Sequence, residues 1–346
     1  MLVVSLLTLG SPEQLTGGYL YHWRMAELAG GHDARIDFVP LPSSRSPFAA
    51  APQPDVILVD SIAAARVAPR VWARAPAPPL AAILHQPPGG IDHGAVRRRV
   101  QASLDRSLYR RCLLLLAASE ALADELRQHH HVPADRVRVV APGSDVATVA
   151  SRSPELRNGR RAAFLSVGNW MARKGTLELL DAFARLPPGA ATLHLVGRDD
   201  VEPRYAVRVR ARLAHPDLAG RVVVHGTRSR EEVAAFYRAA DVFVLPSYLE
   251  PYGTVYGEAL AAGLPVVGWH AGNIVHLADD GREGAFVAPG DVDALARALE
   301  RLALDDAWRR RLADGARRRG RLLPTWNDTA ARFFGELRAL AGRSAR

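Results

Sequence analysis

The sequence predicts an α/β protein made of two Rossmann-like domains, each a doubly wound parallel sheet, with a cleft between them. Three observations carry this reading. Short apolar runs recur with almost no polar alternation, as in strands covered on both faces. Longer amphipathic or alanine-rich segments separate them, which is the strand–helix–strand rhythm of parallel sheets. A single polar stretch, Ala150–Arg161 with Pro154 and Gly159, breaks the rhythm and reads as a linker. The 346 residues fit about two domains.

In the first half the expected strands are Leu2–Leu7, Ile36–Val39, Val56–Val59, Ala81–Leu84, Leu113–Ala117 and Val137–Val140. In the second they are Ala163–Val167, Thr192–Val196, Val222–Val224, Val242–Leu245, Pro265–Gly268 and Ala285–Val287. Helices follow near Asp291–Ala303 and Asp305–Arg319. Pro324 then stops the chain, and Thr325 caps a final helix through about Leu340. The expected division is 1–150, a linker 151–161, 162–323, and a C-terminal helix in 324–346. No low-complexity tract and no solenoid period is present.

Composition narrows the class. Hydrophobic residues at 48% and charged residues at 23% exclude wholesale disorder. The one cysteine, Cys112, rules out an intrachain disulfide or a cysteine zinc cluster and points to a reducing compartment. No apolar run reaches the ~18 residues that span a membrane. The opening MLVVSLLTLGSP lacks a basic start, so it reads as a buried strand and not a signal peptide. A cytoplasmic location, with the inner membrane face as a variant of it, is the expectation. The net charge is +9, and 44 of the 45 basic residues are arginine. The sole lysine, Lys174, marks a place where a compact ammonium differs in use from a planar fork.

Two segments carry the chemistry. After the strand Val242–Leu245 comes Pro246-Ser247-Tyr248-Leu249-Glu250-Pro251-Tyr252-Gly253-Thr254-Val255-Tyr256-Gly257-Glu258, continuing to Gly263-Leu264-Pro265. Glu250 sits in the loop. Gly253 permits close backbone approach, and a helix starting there offers free N–H groups to an anion. Glu258 lies one to two turns deeper. Two carboxylates and an anion-binding helix end suit a ligand that is both polyhydroxylated and phosphorylated. Upstream, Gly168-Asn169-Trp170-Met171-Ala172-Arg173-Lys174-Gly175 puts two adjacent cations in a strand-to-helix loop, placed to hold a pyrophosphate.

Glu250 to Pro265 resembles the signature of the family-4 retaining glycosyltransferases of the GT-B fold, E-P-[FY]-G-x-x-x-x-E-A-x-A-x-G-x-P. Gly168 to Gly175 resembles that family's V-G-x(5)-K-G element. Thr16-Gly17-Gly18 resembles its N-terminal glycine loop, and Ile83-Leu84-His85 the strand ending in its active-site histidine. Ala118-Ser119-Glu120, Val139 to Asp145, Val224-His225-Gly226 and Ala240 to Ser247 extend the resemblance along nearly the whole chain. Asn169 departs from the pattern, since many members carry arginine there; Arg173 beside Lys174 resembles a variant that keeps the charge.

The resemblance implies roles. Glu250 contacts donor-sugar hydroxyls, and Tyr252 and the backbone around Gly253, Thr254 and Val255 meet sugar and diphosphate. Glu258 holds the ribose. Arg173 and Lys174 neutralise the diphosphate, and Gly168 and Asn169 in the same loop belong to the donor-binding set. His85 reaches the donor sugar from the first domain. Gly17 and Gly18 let the N-terminal loop approach donor phosphate or acceptor. Arg198, Thr227 and Arg228 lie where the base is bound. Trp326 packs the final helix onto the first domain.

The implied reaction is transfer of a sugar from a nucleotide-diphosphate sugar, UDP- or GDP-linked, to an acceptor hydroxyl of a glycan, lipid or small molecule, with retention. Double displacement wants carboxylates roughly 5 Å apart. Glu250 and Glu258 are some two helix turns apart, roughly 12 Å, so front-face substitution is favoured, with the leaving diphosphate taking the acceptor proton. No metal or other cofactor is expected, because Arg173, Lys174 and the helix end supply the charge. A monomer or weak dimer, and no nucleic-acid partner, complete the expectation.

Other readings stand beside this one. A GT-B-like nucleotide-sugar epimerase would share the donor site. The charge alone would fit a nucleic-acid binder, but no zinc-finger, RNA-recognition or helix-turn-helix pattern appears. A dehydrogenase lacks its G-x-G-x-x-G after the first strand of either half. His129-His130-His131, with no carboxylate or cysteine partner, reads as a polar helix end. Arg97-Arg98-Arg99, Arg106, Arg110, Arg111 and the run Arg309–Arg321 read as solvated faces. Arg66, Arg70, Trp72 and Arg74 have the composition of a peripheral membrane contact.

Overall fold

A computed structural model describes residues 1–9, 17–41, 53–73, 78–91, 94–130, 132–144 and 154–344. The chain forms two compact units: Met1–Gly143 with Pro324–Arg346, and Ser144–Leu323. The first holds strands β1 (Leu2–Leu9), β2 (Ala34–Leu41), β3 (Val56–Asp60), β4 (Leu80–Leu84), β5 (Leu114–Ala117) and β6 (Val137–Val139). They pair in parallel in the order β2-β1-β3-β4-β5-β6. Its helices are α1 (Gly17–Leu28), α2 (Ala64–Ala73), α3 (Ala95–Tyr109) and α4 (Glu120–His129).

The second unit holds β7 (Ala162–Val167), β8 (Ala191–Val196), β9 (Val222–Gly226), β10 (Val242–Val244), β11 (Val266–Trp269) and β12 (Gly284–Val287). They form a second parallel sheet, β12-β11-β10-β7-β8-β9. Around it lie α5 (Thr176–Ala184), α6 (Pro203–Leu213), α7 (Arg230–Ala239), α8 (Thr254–Ala261), α9 (Ile274–Leu277), α10 (Val292–Leu304) and α11 (Asp306–Gly320). The last helix, α12 (Trp326–Ser344), belongs to the first unit.

All twelve expected strands are present, with ends within two residues of the expected ones. The two faces of the second sheet explain why its strands are apolar throughout. Phe164 and Leu193 point into one core with Phe183, Leu299 and Leu312. Their neighbours Leu165 and Phe243 point into the other with Tyr256, Leu260 and Phe286. Because side chains alternate across a strand, a sheet covered twice needs apolar residues at every position.

Of the stretch read as a linker, residues 150–153 lie outside the described residues, as does Asp145. Residues 154–161 are built into the second unit. Leu156 is buried, and the Arg157 guanidinium donates to both oxygens of Asp241 at 2.9 and 2.6 Å. Thr325 accepts from the Asp328 amide at 3.2 Å and opens α12 as expected. Trp326 then packs edge-on to Tyr21 of α1, ring centroids 5.8 Å apart.

Candidate active site

In the second sheet the chain's direction of travel reverses between β7 and β10, its neighbours at the centre. Ligands of open α/β sheets sit at the carboxyl ends of strands at such a switch point. The two motif-bearing loops follow these two strands. After β7 come Gly168 and Asn169, a 3-10 turn Ala172–Lys174, and Gly175 before α5. After β10 the chain runs through Glu250 and Tyr252 to Gly253 before α8.

The loops are fastened to each other. Tyr248 N and Ser247 Oγ both donate to the Arg173 carbonyl, at 2.8 and 3.1 Å. Gly175 adopts φ 70°, and a Cβ there would lie 2.1 Å from the Pro246 carbonyl oxygen. The conformation and the space both require glycine. Across this junction the Lys174 ammonium donates directly to Glu250 Oε2, and each side chain is 12% exposed. Arg173 Nη1 donates to the Leu249 carbonyl at 3.2 Å. The resemblance assigns Lys174 to a diphosphate and Glu250 to a sugar; the structure pairs the two side chains with each other.

Behind the loop, Asn273 supports it twice. Its amide donates to the Glu250 carbonyl at 3.0 Å, and its side chain donates to the Tyr252 carbonyl at 3.0 Å. Tyr252 is buried. Gly253, at φ 78°, leads into α8, and among the described residues no side chain caps that helix. Its first amides therefore have anion-binding character. Thr254 and Val255 form the first turn, half-buried. Glu258 lies on the next turn, also half-buried. Burial raises its pKa to about 7 against the opposing pull of the Tyr237 hydroxyl and Arg230. Tyr237 from α7 also lies 3.2 Å from the Val255 carbonyl, so one phenol touches both the helix start and the deeper carboxylate.

The residues assigned to the base lie at the ends of β8 and β9. Asn169 Oδ1 accepts from the Arg198 amide at 3.1 Å, while the Arg198 guanidinium turns outward to Asp200 at 2.9 and 3.1 Å. Thr227 and Arg228 are exposed. Behind them, His194 Nε2 donates to the Leu156 carbonyl at 2.8 Å, which leaves its Nδ1 to accept from His225 Nε2 at 2.9 Å.

In the first unit, His85 directly follows β4 and is half-buried. Burial, and next the neighbouring His22 ring, push its pKa down to about 3. Gly17 and Gly18 open α1, and a Cβ on Gly18 would lie 3.2 Å from the His85 ring. Thr16 lies outside the described residues. Among those residues, one group has metal-ligand spacing: ligand atoms of His22, Asp60 and His85 lie within 4.8 Å of one another. The direct bond between His22 Nε2 and Asp60 Oδ2, 2.8 Å, already satisfies that pair.

Thus each unit assembles its own share of the expected residues. The sequence reading missed Tyr237, Asn273, His22 and Asp60. Asp60 carries a visible signal, a lone acid ending the apolar run Val56–Val59; the others sit on elements with nothing locally unusual.

Two side readings change in part. The histidine run does have a carboxylate partner: Glu125 meets His129 at 3.1 Å by the one-turn spacing of a helix, and His130, just past the helix end, at 3.3 Å. His131 lies outside the described residues. In the run Arg309–Arg321, Arg309 is buried and donates to the Leu302 carbonyl at 2.7 Å, and Arg319 donates to the Leu277 carbonyl at 2.7 Å. Both satisfy helix ends instead of facing water. Arg66, Arg70, Trp72 and Arg97-Arg98-Arg99 are exposed, and Arg74 lies outside the described residues. Among the described residues no helix is long and apolar enough to cross a membrane.

Comparison with known proteins gives a family and a fold. Residues 4–148 match the model described as Glycosyltransferase Family 4, and residues 148–319 the model described as Glycosyl transferases group 1. The chain is 34% identical over 230 residues to a D-inositol 3-phosphate glycosyltransferase of Xylanimonas cellulosilytica, covering 63% of this chain and 54% of that protein. It thus spans about half the length of the curated relatives it matches. In fold it is similar to sucrose-phosphate synthase from Thermosynechococcus elongatus, at TM-score 0.80 and 21% identity over 99% of this chain and 100% of that one. Anabaena HepE in complex with UDP-glucose gives TM-score 0.77 and 21% identity over 97% and 100%.

Proposed function

The chain belongs to the family-4 glycosyltransferases of the GT-B fold, and from that membership we propose that it moves a hexose from a nucleotide-diphosphate sugar to an acceptor hydroxyl with retention of configuration. One observation carries the reading: the Lys174–Glu250 pair at the switch point, beside the uncapped start of α8. A cation, a carboxylate and free helix amides in one place match a ligand with phosphate at one end and hydroxyls at the other.

On binding, the diphosphate takes the Lys174 ammonium and the first amides of α8, with Arg173 beside it. Glu250, released, accepts from sugar hydroxyls. Glu258 accepts from the ribose diol. Asn169, Arg198, Thr227 and Arg228 border the base. His85 acts as a neutral hydrogen-bonding group on the sugar, in keeping with its low pKa, and Gly17 and Gly18 leave room for donor phosphate or acceptor. Departure of the diphosphate is assisted by fixed positive charge, and the leaving oxygen takes the acceptor proton. No metal is required. The acceptor is a glycan, lipid or small molecule, and the enzyme works in the cytoplasm, with Arg66, Arg70 and Trp72 able to meet an anionic membrane face.

A thermal-shift panel of UDP, GDP, UDP-glucose, GDP-mannose and the free sugars tests the donor site, since a ligand of the native state raises Tm. A shift with a nucleotide sugar, followed by product of retained configuration in EDTA, is expected. No shift with any nucleotide, or transfer that EDTA abolishes and Mg²⁺ restores, overturns the donor or the metal-free reading respectively.

A further inference from the structure

We propose that Asp60, acting through His22 and Ser61, is the positioning residue for His85; this rests on the reading of His85 as a sugar-contacting group. Asp60 ends β3, and His85 follows β4, its neighbour in the sheet. One carboxylate reaches the histidine by two arms. Through the first, Asp60 Oδ1 accepts from Ser61 Oγ at 3.1 Å, and Ser61 Oγ accepts from the His85 amide at 3.2 Å. Through the second, Asp60 Oδ2 bonds His22 Nε2 at 2.8 Å, and the His22 ring stands edge-on to the His85 ring, centroids 4.7 Å apart.

Asp60 is itself fixed. It is 2% exposed, and the Ile62 amide donates to Oδ1 at 3.1 Å. Burial alone would raise its pKa, but the His22 ring, then the His85 ring and that amide bond, outweigh burial and hold it low. A buried carboxylate whose oxygens all face partners is a rigid anchor. On its α1 side the His85 ring packs against Gly18 and the Tyr21 ring, whose centroid lies 5.2 Å away. Backbone and ring are thereby set from one carboxylate, as a group that must meet a substrate atom within a fraction of an ångström requires. A structural role alone needs only the Ile62 bond and the Asp60–His22 pair; it does not need the arm to the His85 backbone.

The test is a double-mutant cycle with Asp60→Asn and His85→Gln, assayed with UDP- and GDP-hexoses. Asp60→Asn is expected to lower kcat about 10- to 100-fold with donor KM within about threefold, and to cost nothing further once His85 is Gln. An equal loss in both backgrounds overturns the proposal. If His85→Gln alone keeps wild-type kcat, the reading of His85 fails instead. A second readout needs no turnover. In protein labelled with 15N-histidine, the His85 ring signals, assigned by their loss in His85→Gln, shift in Asp60→Asn while those of His225 stay. Unmoved His85 signals overturn the coupling. Should Asp60→Asn fail to fold, Ser61→Ala severs one arm and runs through the same two measurements.

Discussion

At the scale of single residues, the Lys174–Glu250 pair changes how its own test must be designed. Removing one partner of a mostly buried ion pair leaves a stranded charge, which costs about 3–5 kcal/mol in a fully buried setting and less here. Lys174→Met is therefore expected to lower both kcat and Tm. The double variant Lys174→Met with Glu250→Gln should recover most of the Tm by calorimetry yet no turnover. Recovered turnover would show that neither charge meets the ligand. Glu258 gives a second residue-scale prediction. With its pKa near 7 and a ribose diol needing the carboxylate as acceptor, nucleotide affinity by calorimetry should rise about tenfold from pH 6 to pH 8. Glu258→Gln should bind more weakly and independently of pH.

At the scale of elements, the strands were legible because a doubly covered sheet writes its burial into every position. The motif loops were legible because glycines with positive φ and paired acids stand out in a helix-and-strand background. What the sequence hid was pairing across elements. Nothing near Lys174 announces Glu250 as its partner, and nothing in α1 announces that His22 meets Asp60, since both bonds join segments set side by side only by sheet order. In the Arg309–Arg321 run, Arg309 and Arg319 departed from the solvated face for the same reason, since carbonyls at the ends of α10 and α9 are invisible in composition, while Arg310, Arg311, Arg317, Arg318 and Arg321 are exposed as read. The Gly175 junction can be tested directly. Gly175→Ala combines a left-handed φ with a collision against Pro246, so it should cost at least about 2 kcal/mol in urea unfolding and weaken donor binding. Gly189, with nothing near its missing Cβ, should accept alanine within about 0.5 kcal/mol.

At the scale of the whole molecule, three shifted groups bound the pH range of stability. His85, near 3, and His225, near 4, lie below their ordinary value of 6.5. Their contributions are complete above about pH 6.5 and fade as pH falls toward 4 and 3. Glu258 lies above its ordinary 4.5, so its contribution is complete below 4.5 and fades as pH rises through 7. Unfolding free energy measured from pH 4 to 8.5 should therefore peak between the arms, and Glu258→Gln should flatten the alkaline arm alone. The return of α12 to the first unit has a further meaning for biosynthesis. The second unit, Ser144–Leu323, is spelled out whole before α12 is made. On the ribosome the half that starts first is completed last. Until then the partners that α12 will cover, Tyr21 and Gly143 among them, await a helix that has not yet been translated, and a nascent chain stalled late would carry a finished second unit and an unfinished first one.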